Sequence, residues 1–304
     1  LKNKYFYYFN HSHKTKKKDQ HKRQQTIVSD FVSSLGFHIV ADDRKILKWG
    51  EIDIYVPEKQ LAIEYDGLHW HSEQMGKNRN YHVNKTTQCA QAGIQLLHVF
   101  EDEWLYKNKI VKNIIRLKLG KINRRIVARK CEVREITTRK QSSDFLRANH
   151  IHGSVKGTHI GLFDMDNKLV QIMTVLKLQP NKRYDWEILR TCFVRDTQVM
   201  GGMEKLVKYF IEKYKPKSIV SYDDYRYGDG ETYLSCGFTY SHLTKPRYCY
   251  TINGQRKSNF RYRKHKLDKL LDSFDPTLNE WQNMKMNGYD RIWDCGYNVY
   301  VYKI

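Results

Sequence analysis

The chain has 304 residues, 54 lysines and arginines against 33 aspartates and glutamates, a formal net charge of +21 and a pI near 9.6. With 40% hydrophobic and 13% aromatic residues it is too rich in core-forming side chains for a disordered polycation, and its apolar runs fall far short of the roughly 20 residues a membrane span needs. So large a charge calls for an acidic partner, and nucleic acid suits it better than a membrane surface, for which no amphipathic or lipidation pattern is present.

In chain order, residues 11–25 (HSHKTKKKDQHKRQQ) carry many cations and almost no apolar side chain. Residues 1–26 therefore read as a basic N-terminal arm, either a solvated helix start or an arm lying on phosphates through Lys16, Lys17 and Lys18. Ile27, Val28, Phe31, Val32 and Leu35 have helical spacing, and Gly36 stops the run. From Glu51 the period changes to two: Ile52, Ile54 and Val56 alternate with Glu51, Asp53 and Tyr55, residues 57–60 turn and residues 61–66 return, which predicts a β-hairpin. A helix over 81–92, a buried strand over 95–100 and a helix over 106–119 complete an α/β domain of residues 27–120, closed by Gly120.

Residues 121–130, rich in Arg and Lys, are expected to be a basic linker to a second domain at 131–304. There the pattern predicts a helix over 142–149, a hairpin across 164–168, a strand over 186–194, a helix over 203–214 and strands over 218–222, 247–252 and 297–302. The tract 256–269 (RKSNFRYRKHKLDK) interleaves Phe260 and Tyr262 with cations; Arg261, Arg263 and Lys264 are candidate phosphate contacts, although a solvated basic helix accounts for them equally well. Cys89, Cys131, Cys192, Cys236, Cys249 and Cys295 form no CxxC pair, so neither a zinc ribbon nor a disulfide framework is indicated, and a reduced cytoplasmic compartment fits. No signal-peptide pattern stands at the N-terminus, and the absence of an initiator Met at Leu1 suggests a start upstream.

The hairpin carries the candidate chemistry. A tight turn at Glu58-Lys59 sets Val56 opposite Leu61, Asp53 opposite Glu64 and Glu51 opposite Asp66, gathering four carboxylates on one face. Like charges so close are destabilising unless neutralised, and hard oxygen donors suit Mg²⁺ or Mn²⁺. A one-residue slip would expose Ile52 and Ile54 instead, so the hydrophobic pattern supports this register.

The run EIDIYVPEKQLAIEYDGLHWHSE, followed by HVNKTTQCAQAGIQLLHVFEDEW, closely resembles the very-short-patch-repair-like branch of the PD-(D/E)xK nucleases, particularly the phage homing endonucleases of the EDxHD type, over residues 27–119. The resemblance implies a Mg²⁺-dependent endodeoxyribonuclease acting on double-stranded DNA, encoded by a phage and working in the bacterial cytoplasm. It makes Asp53 and Glu64 the metal-binding carboxylates, His71 the histidine near the scissile phosphate, and Asp66 the residue in place of the superfamily's lysine. A metal there would hold a phosphate oxygen and lower the pKa of a bound water. His71 is suited to move the proton, and Asp102 or Glu101 to orient its imidazole. Lys85 matches the family's HxxK habit and is a candidate phosphate contact. The family's acidic residue in the first helix is missing, since Gln24 and Gln25 are neutral amides.

Residues 131–252 resemble the GNAT acyltransferase fold, with Gln198-Val199-Met200-Gly201-Gly202-Met203 near its pyrophosphate-binding loop. Met203 stands where that loop wants a small residue, which points to a non-catalytic GNAT-like module that grips DNA. The expected whole is an α/β (α+β) chain, a PD-(D/E)xK nuclease domain followed by a GNAT-like α/β domain. The alternatives are a DNA-binding protein with an inactive nuclease fold and a GNAT-type acyltransferase that modifies DNA.

Overall fold

A computed structural model describes residues 2–180 and 182–303, with side chains from residue 18 onward. The fold is mixed α/β and divides into two units, the residues up to Asp102 together with Cys249–Ile292, and Glu103–Tyr248 together with the residues from Trp293 on. The stretch 106–119 thus lies in the second unit and all of 249–292 in the first, a division that does not follow the expected boundaries at 120 and 131.

In the first unit the basic arm and the predicted helix are one element, α1 (Lys2–Ser34), ended where Gly36 adopts φ +83°. Val28 and Val32, at i and i+4, are fully buried. Strand β1 (Val40–Asp43) precedes the hairpin β2 (Ile52–Val56) and β3 (Leu61–Asp66), and the register is the expected one: Ile54 opposes Ile63, Tyr55 opposes Ala62 and Val56 opposes Leu61. Gln60 in the left-handed region closes the turn by donating its N–H to the Pro57 carbonyl. Helix α2 (Tyr81–Gln91) leads into β4 (Gln95–Phe100), which pairs parallel to β3 so that the sheet runs β1-β2-β3-β4. A parallel pair needs a crossover connection, and α2 provides it. Every residue of β3 is buried, so the carboxylates it carries lie inside the unit and not on a solvent-facing edge.

The expected helix over 106–119 is α4 (Asn108–Lys118), preceded by a separate short helix α3 (Glu101–Tyr106) that the sequence pattern does not predict. The expected linker is not one: β5 (Arg124–Val127) pairs parallel with β10 (Thr197–Met200), and a short 3₁₀ turn follows. The remaining elements of the second unit are β6 (Glu132–Glu135), α5 (Arg139–Asn149), β7 (Thr158–Phe163), β8 (Leu169–Lys177), β9 (Trp186–Phe193), α6 (Gly202–Tyr214), β11 (Ser218–Asp224), α7 (Glu231–Ser235) and β12 (Thr239–Leu243). The C-terminal strand β16 (Tyr297–Lys303) joins a seven-stranded sheet of order β12-β16-β11-β9-β8-β7-β6, antiparallel except for the β9–β11 pair. Leu206, Val207 and Phe210 of α6 are buried in one core with Ile160, Leu162 and Val175. Each such side chain, fully removed from water, stabilises the fold by about 1.5–3 kcal/mol.

A charged cluster is also buried in this unit. Arg226 donates to Glu103 at 3.0 Å and to Asp224 at 2.7 Å, and the Tyr227 hydroxyl donates to Glu103 at 2.9 Å. Such a cluster is tolerated inside only because every charge meets an opposite one.

The chain then returns to the first unit with β13 (Tyr248–Ile252), β14 (Gln255–Ser258), α8 (Lys264–Leu267), α9 (Glu280–Met286) and β15 (Asp290–Trp293), whose strands pair in the order β14-β13-β15. The tract 256–269 is therefore not one basic helix but a strand, a 3₁₀ turn and a single helical turn. Among the described residues no helix is long and apolar enough to cross a membrane.

Candidate functional site

The hairpin and the crossover helix bring the candidate residues to one place in the first unit. Asp53 comes from β2, Glu64 and Asp66 from alternate positions of β3, and His82 and Lys85 from one face of α2, three residues apart. His71 comes from the turn after β3, and His98 from β4, where it stands opposite Glu64 in the ladder. All seven are buried.

Their partners differ from the four-carboxylate face that the register alone suggests. Glu51 is drawn aside by Arg44, 2.8 Å away. One oxygen of Asp53 accepts the Tyr65 backbone N–H at 2.7 Å. Burial and then the charge of Glu64 push the Asp53 carboxyl well above the usual carboxylate range. Glu64 is ion-paired with Lys85, and although burial works against the ammonium, Glu64 raises its pKa. Lys85 is thus a buried counter-ion and not a cation on an exposed helix face.

Asp66 is the hub of a histidine cluster. His98 Nδ1 lies 2.8 Å from Asp66 Oδ2, and Thr86 Oγ1 lies 3.0 Å from His98 Nε2. His71 Nδ1 lies 2.9 Å from Asp66 Oδ1 and 3.0 Å from His82 Nε2, with the His71 and His82 rings stacked. Burial alone would raise the Asp66 carboxyl, but His98, His71 and His82 together hold it well below the usual range, while burial lowers His82. Asp66 is therefore the ionised member, surrounded by imidazoles.

A recess of about 910 Å³ opens above Asp53, Glu64, His71 and Lys85. Helix α1 forms one wall with Lys18, His21, Lys22 and Gln25, while Arg44, Trp70, Lys77 and Tyr81 contribute to the rest. The close approach of α1 explains Gly67: a Cβ there would collide with the His21 ring, which also packs on Tyr65. Burial lowers His21 to about 4, so it is neutral at pH 7. Gln25, near the position of the missing helix acid, donates to Asp42 Oδ1 at 3.0 Å.

Several expected roles fall elsewhere. Asp102 does not orient His71; it accepts from Arg256 Nε at 2.8 Å and from the Arg256 backbone N–H at 3.0 Å. Glu101 accepts the Leu68 N–H at 2.9 Å. The group beside the imidazole is Asp66. The pairing of Asp53 with Glu64 as joint metal ligands is complicated by Lys85, and the carboxylate oxygens that cluster with Asp53 within 4.8 Å are those of Asp42 and Glu51. The side chains of Lys16 and Lys17 lie outside the described residues, Lys18 lines the recess, and Arg261, Arg263 and Lys264 are exposed. Sequence reasoning missed His21 and His98, and took His82 only as the histidine of the HxxK pattern that marks Lys85, without a site role of its own. A histidine inside the apolar strand QLLHVF was the available signal for His98.

In the second unit Met203 does not spoil the loop before α6. Its side chain is turned into the core, where the Thr191 hydroxyl donates to its sulfur at 3.6 Å. Gly201 takes φ +71° at the N-cap of α6, and no side chain caps that helix.

No family model matches the chain, and no curated protein matches it. Among solved structures it is similar to a protein assigned as a phosphinothricin N-acetyltransferase (TM-score 0.30, 8% identity, 57% of this chain and 98% of that one). It is also similar to the spermidine/spermine N-acetyltransferase SpeG from Vibrio cholerae in complex with manganese ions (TM-score 0.31, 11% identity, 58% of this chain and 94% of that one). Both are transferases, and neither is a magnesium-dependent nuclease. None of these comparisons supports the expected Mg²⁺-dependent endodeoxyribonuclease, or the hydrolase and homing-endonuclease activity that goes with it, and that expectation is withdrawn. The ion pair on Glu64 and the amide at Gln25 agree with its withdrawal.

Proposed function

We propose that this chain is a DNA-binding protein whose first unit keeps a nuclease-like fold without the hydrolytic activity and holds the backbone of double-stranded DNA at the recess. The observation that carries the reading is the distribution of charge. The rim bears Lys18, Lys22 and Lys77 with Arg44, which is ion-paired with Glu51, and one further acid, Asp42; on the floor Lys85 balances Glu64, and burial favours the protonated form of Asp53, so cations outnumber ionised acids around the recess. A cationic rim over a neutralised floor attracts phosphate, and the net charge of +21 favours the same partner. Exposed Arg261, Arg263 and Lys264 would add contacts to the sugar-phosphate chain. Mg²⁺ or Mn²⁺, where bound, would take Asp53, Asp42 and Glu51 as its carboxylate donors, with Glu51 released from Arg44 and Asp53 deprotonated on binding. The test is the fluorescence anisotropy of a labelled duplex with the full chain and with a Lys18→Gln, Lys22→Gln, Arg44→Gln, Lys77→Gln variant. The variant should bind roughly tenfold or more weakly, and equal affinity of the two proteins would refute the assignment.

A second reading, acyl transfer by the second unit, is favoured by the Gly201-Gly202 turn. It presents the uncapped N-terminus of the 13-residue helix α6, a place where backbone N–H groups can receive the pyrophosphate of an acyl-CoA. With Met203 packed in the core, the objection to that loop falls away. A rise in melting temperature on adding acetyl-CoA to the full chain would support it, and an unchanged one would remove it.

A further inference from the structure

The geometry points to a transition-metal site, which we propose is a zinc site formed by Asp66, His71 and His82. It lies beside the proposed backbone-binding recess and does not depend on that reading. Three donor atoms, Asp66 Oδ1, His71 Nδ1 and His82 Nε2, converge from β3, the following turn and α2, separated by 2.9, 3.0 and 3.6 Å. Ligands about 2.0–2.1 Å from a common ion stand roughly 3 Å apart around it, so the triangle has the size of one face of a coordination polyhedron.

Asp66 Oδ1, 2.9 Å from His71 Nδ1, is buried with no assigned hydrogen-bond partner among the described residues, an arrangement that is costly unless something else satisfies the oxygen. The other oxygen of Asp66 is held by His98, itself in contact with Thr86, the outer support that fixes ligand orientation in metal centres. Two imidazoles and one carboxylate suit Zn²⁺ better than Mg²⁺, which prefers oxygen donors alone. His71 also lines the recess, so a fourth position would face it and could take water or an anionic oxygen.

The test uses the full chain, stripped with a chelator, reloaded with Zn²⁺ or Co²⁺, desalted and assayed for metal content and visible absorption. One zinc per chain is expected, with affinity reduced roughly tenfold or more in His71→Ala and Asp66→Asn and preserved in Asp53→Asn. Cobalt-loaded His71→Cys should show a thiolate charge-transfer band, which places residue 71 on the ion even where the truncations fold poorly. Failure of the wild-type chain to retain zinc would overturn the proposal. So would loss of zinc in Asp53→Asn but not in Asp66→Asn, or a cobalt spectrum of His71→Cys without the thiolate band.

Discussion

Lys85 is ion-paired with Glu64, and the two side chains are only 3% and 5% exposed. A pair this deep is held less by its own attraction than by the cost of leaving either charge alone, since each has lost its water. It links the crossover helix α2 to the strand β3 and neutralises one of the carboxylates that β3 carries.

Lys85→Met should therefore destabilise the chain by about 3–5 kcal/mol, because Glu64 would remain buried without a counter-charge. The double variant Lys85→Met, Glu64→Leu should recover most of that loss. Urea unfolding of the three proteins checks this, and a single variant as stable as the wild type would show that water reaches Glu64.

Asp102 gives a second, separable prediction. It accepts two hydrogen bonds from Arg256 and none from His71, so Asp102→Ala should cost about 1–3 kcal/mol of stability and leave duplex affinity unchanged at a temperature where the variant is folded. A selective loss of affinity with stability intact would return Asp102 to the role first expected of it, beside His71.

In the second unit, burial and the neighbouring charges of Asp224 and Asp229 push Asp223 up to about 7 from an ordinary value of 3.8. A carboxyl raised in the folded state contributes stability that is fully present below its unfolded pKa and is lost as pH rises through the folded one. Wild-type stability should thus fall between about pH 4 and pH 7 relative to Asp223→Asn, and the variant should be the more stable protein above that window. Denaturant midpoints near pH 4 and well above pH 7 test this, and a constant difference between the two proteins would place the titration elsewhere.

How much of this was legible in the sequence depended on whether the determinant was local. The hairpin register was readable because Ile52, Ile54 and Val56 must all face inward, which leaves one pairing with residues 61–66. The strand 95–100 and the helix 203–214 were equally plain, the first an apolar run and the second a periodic one. What was not legible depends on distant partners. Residues 124–127 look like a charged linker and become a strand only because β10, some seventy residues on, pairs with them. Nothing within 249–292 marks that it belongs to the first unit. Asp53, Glu64 and Asp66 were found by alternation, but their partners were not, because no local pattern brings His98 from β4 to Asp66 or lays Lys85 on Glu64. Asp102 was assigned to the wrong partner for the same reason: Arg256 lies 154 residues away in sequence.

The most direct test of the DNA-binding account is the slope of log K against log salt concentration for a duplex bound by the full chain. Each backbone phosphate neutralised contributes about 0.9 to that slope, so a chain that grips the backbone through its recess should show a steep dependence. Changing Lys18, Lys22, Arg44 and Lys77 to Gln together should flatten it by as much as about 3.6, four contacts at about 0.9 each. A slope near zero in the wild-type chain, or a steep slope that the four changes leave unaltered, would contradict the placement of DNA at this site.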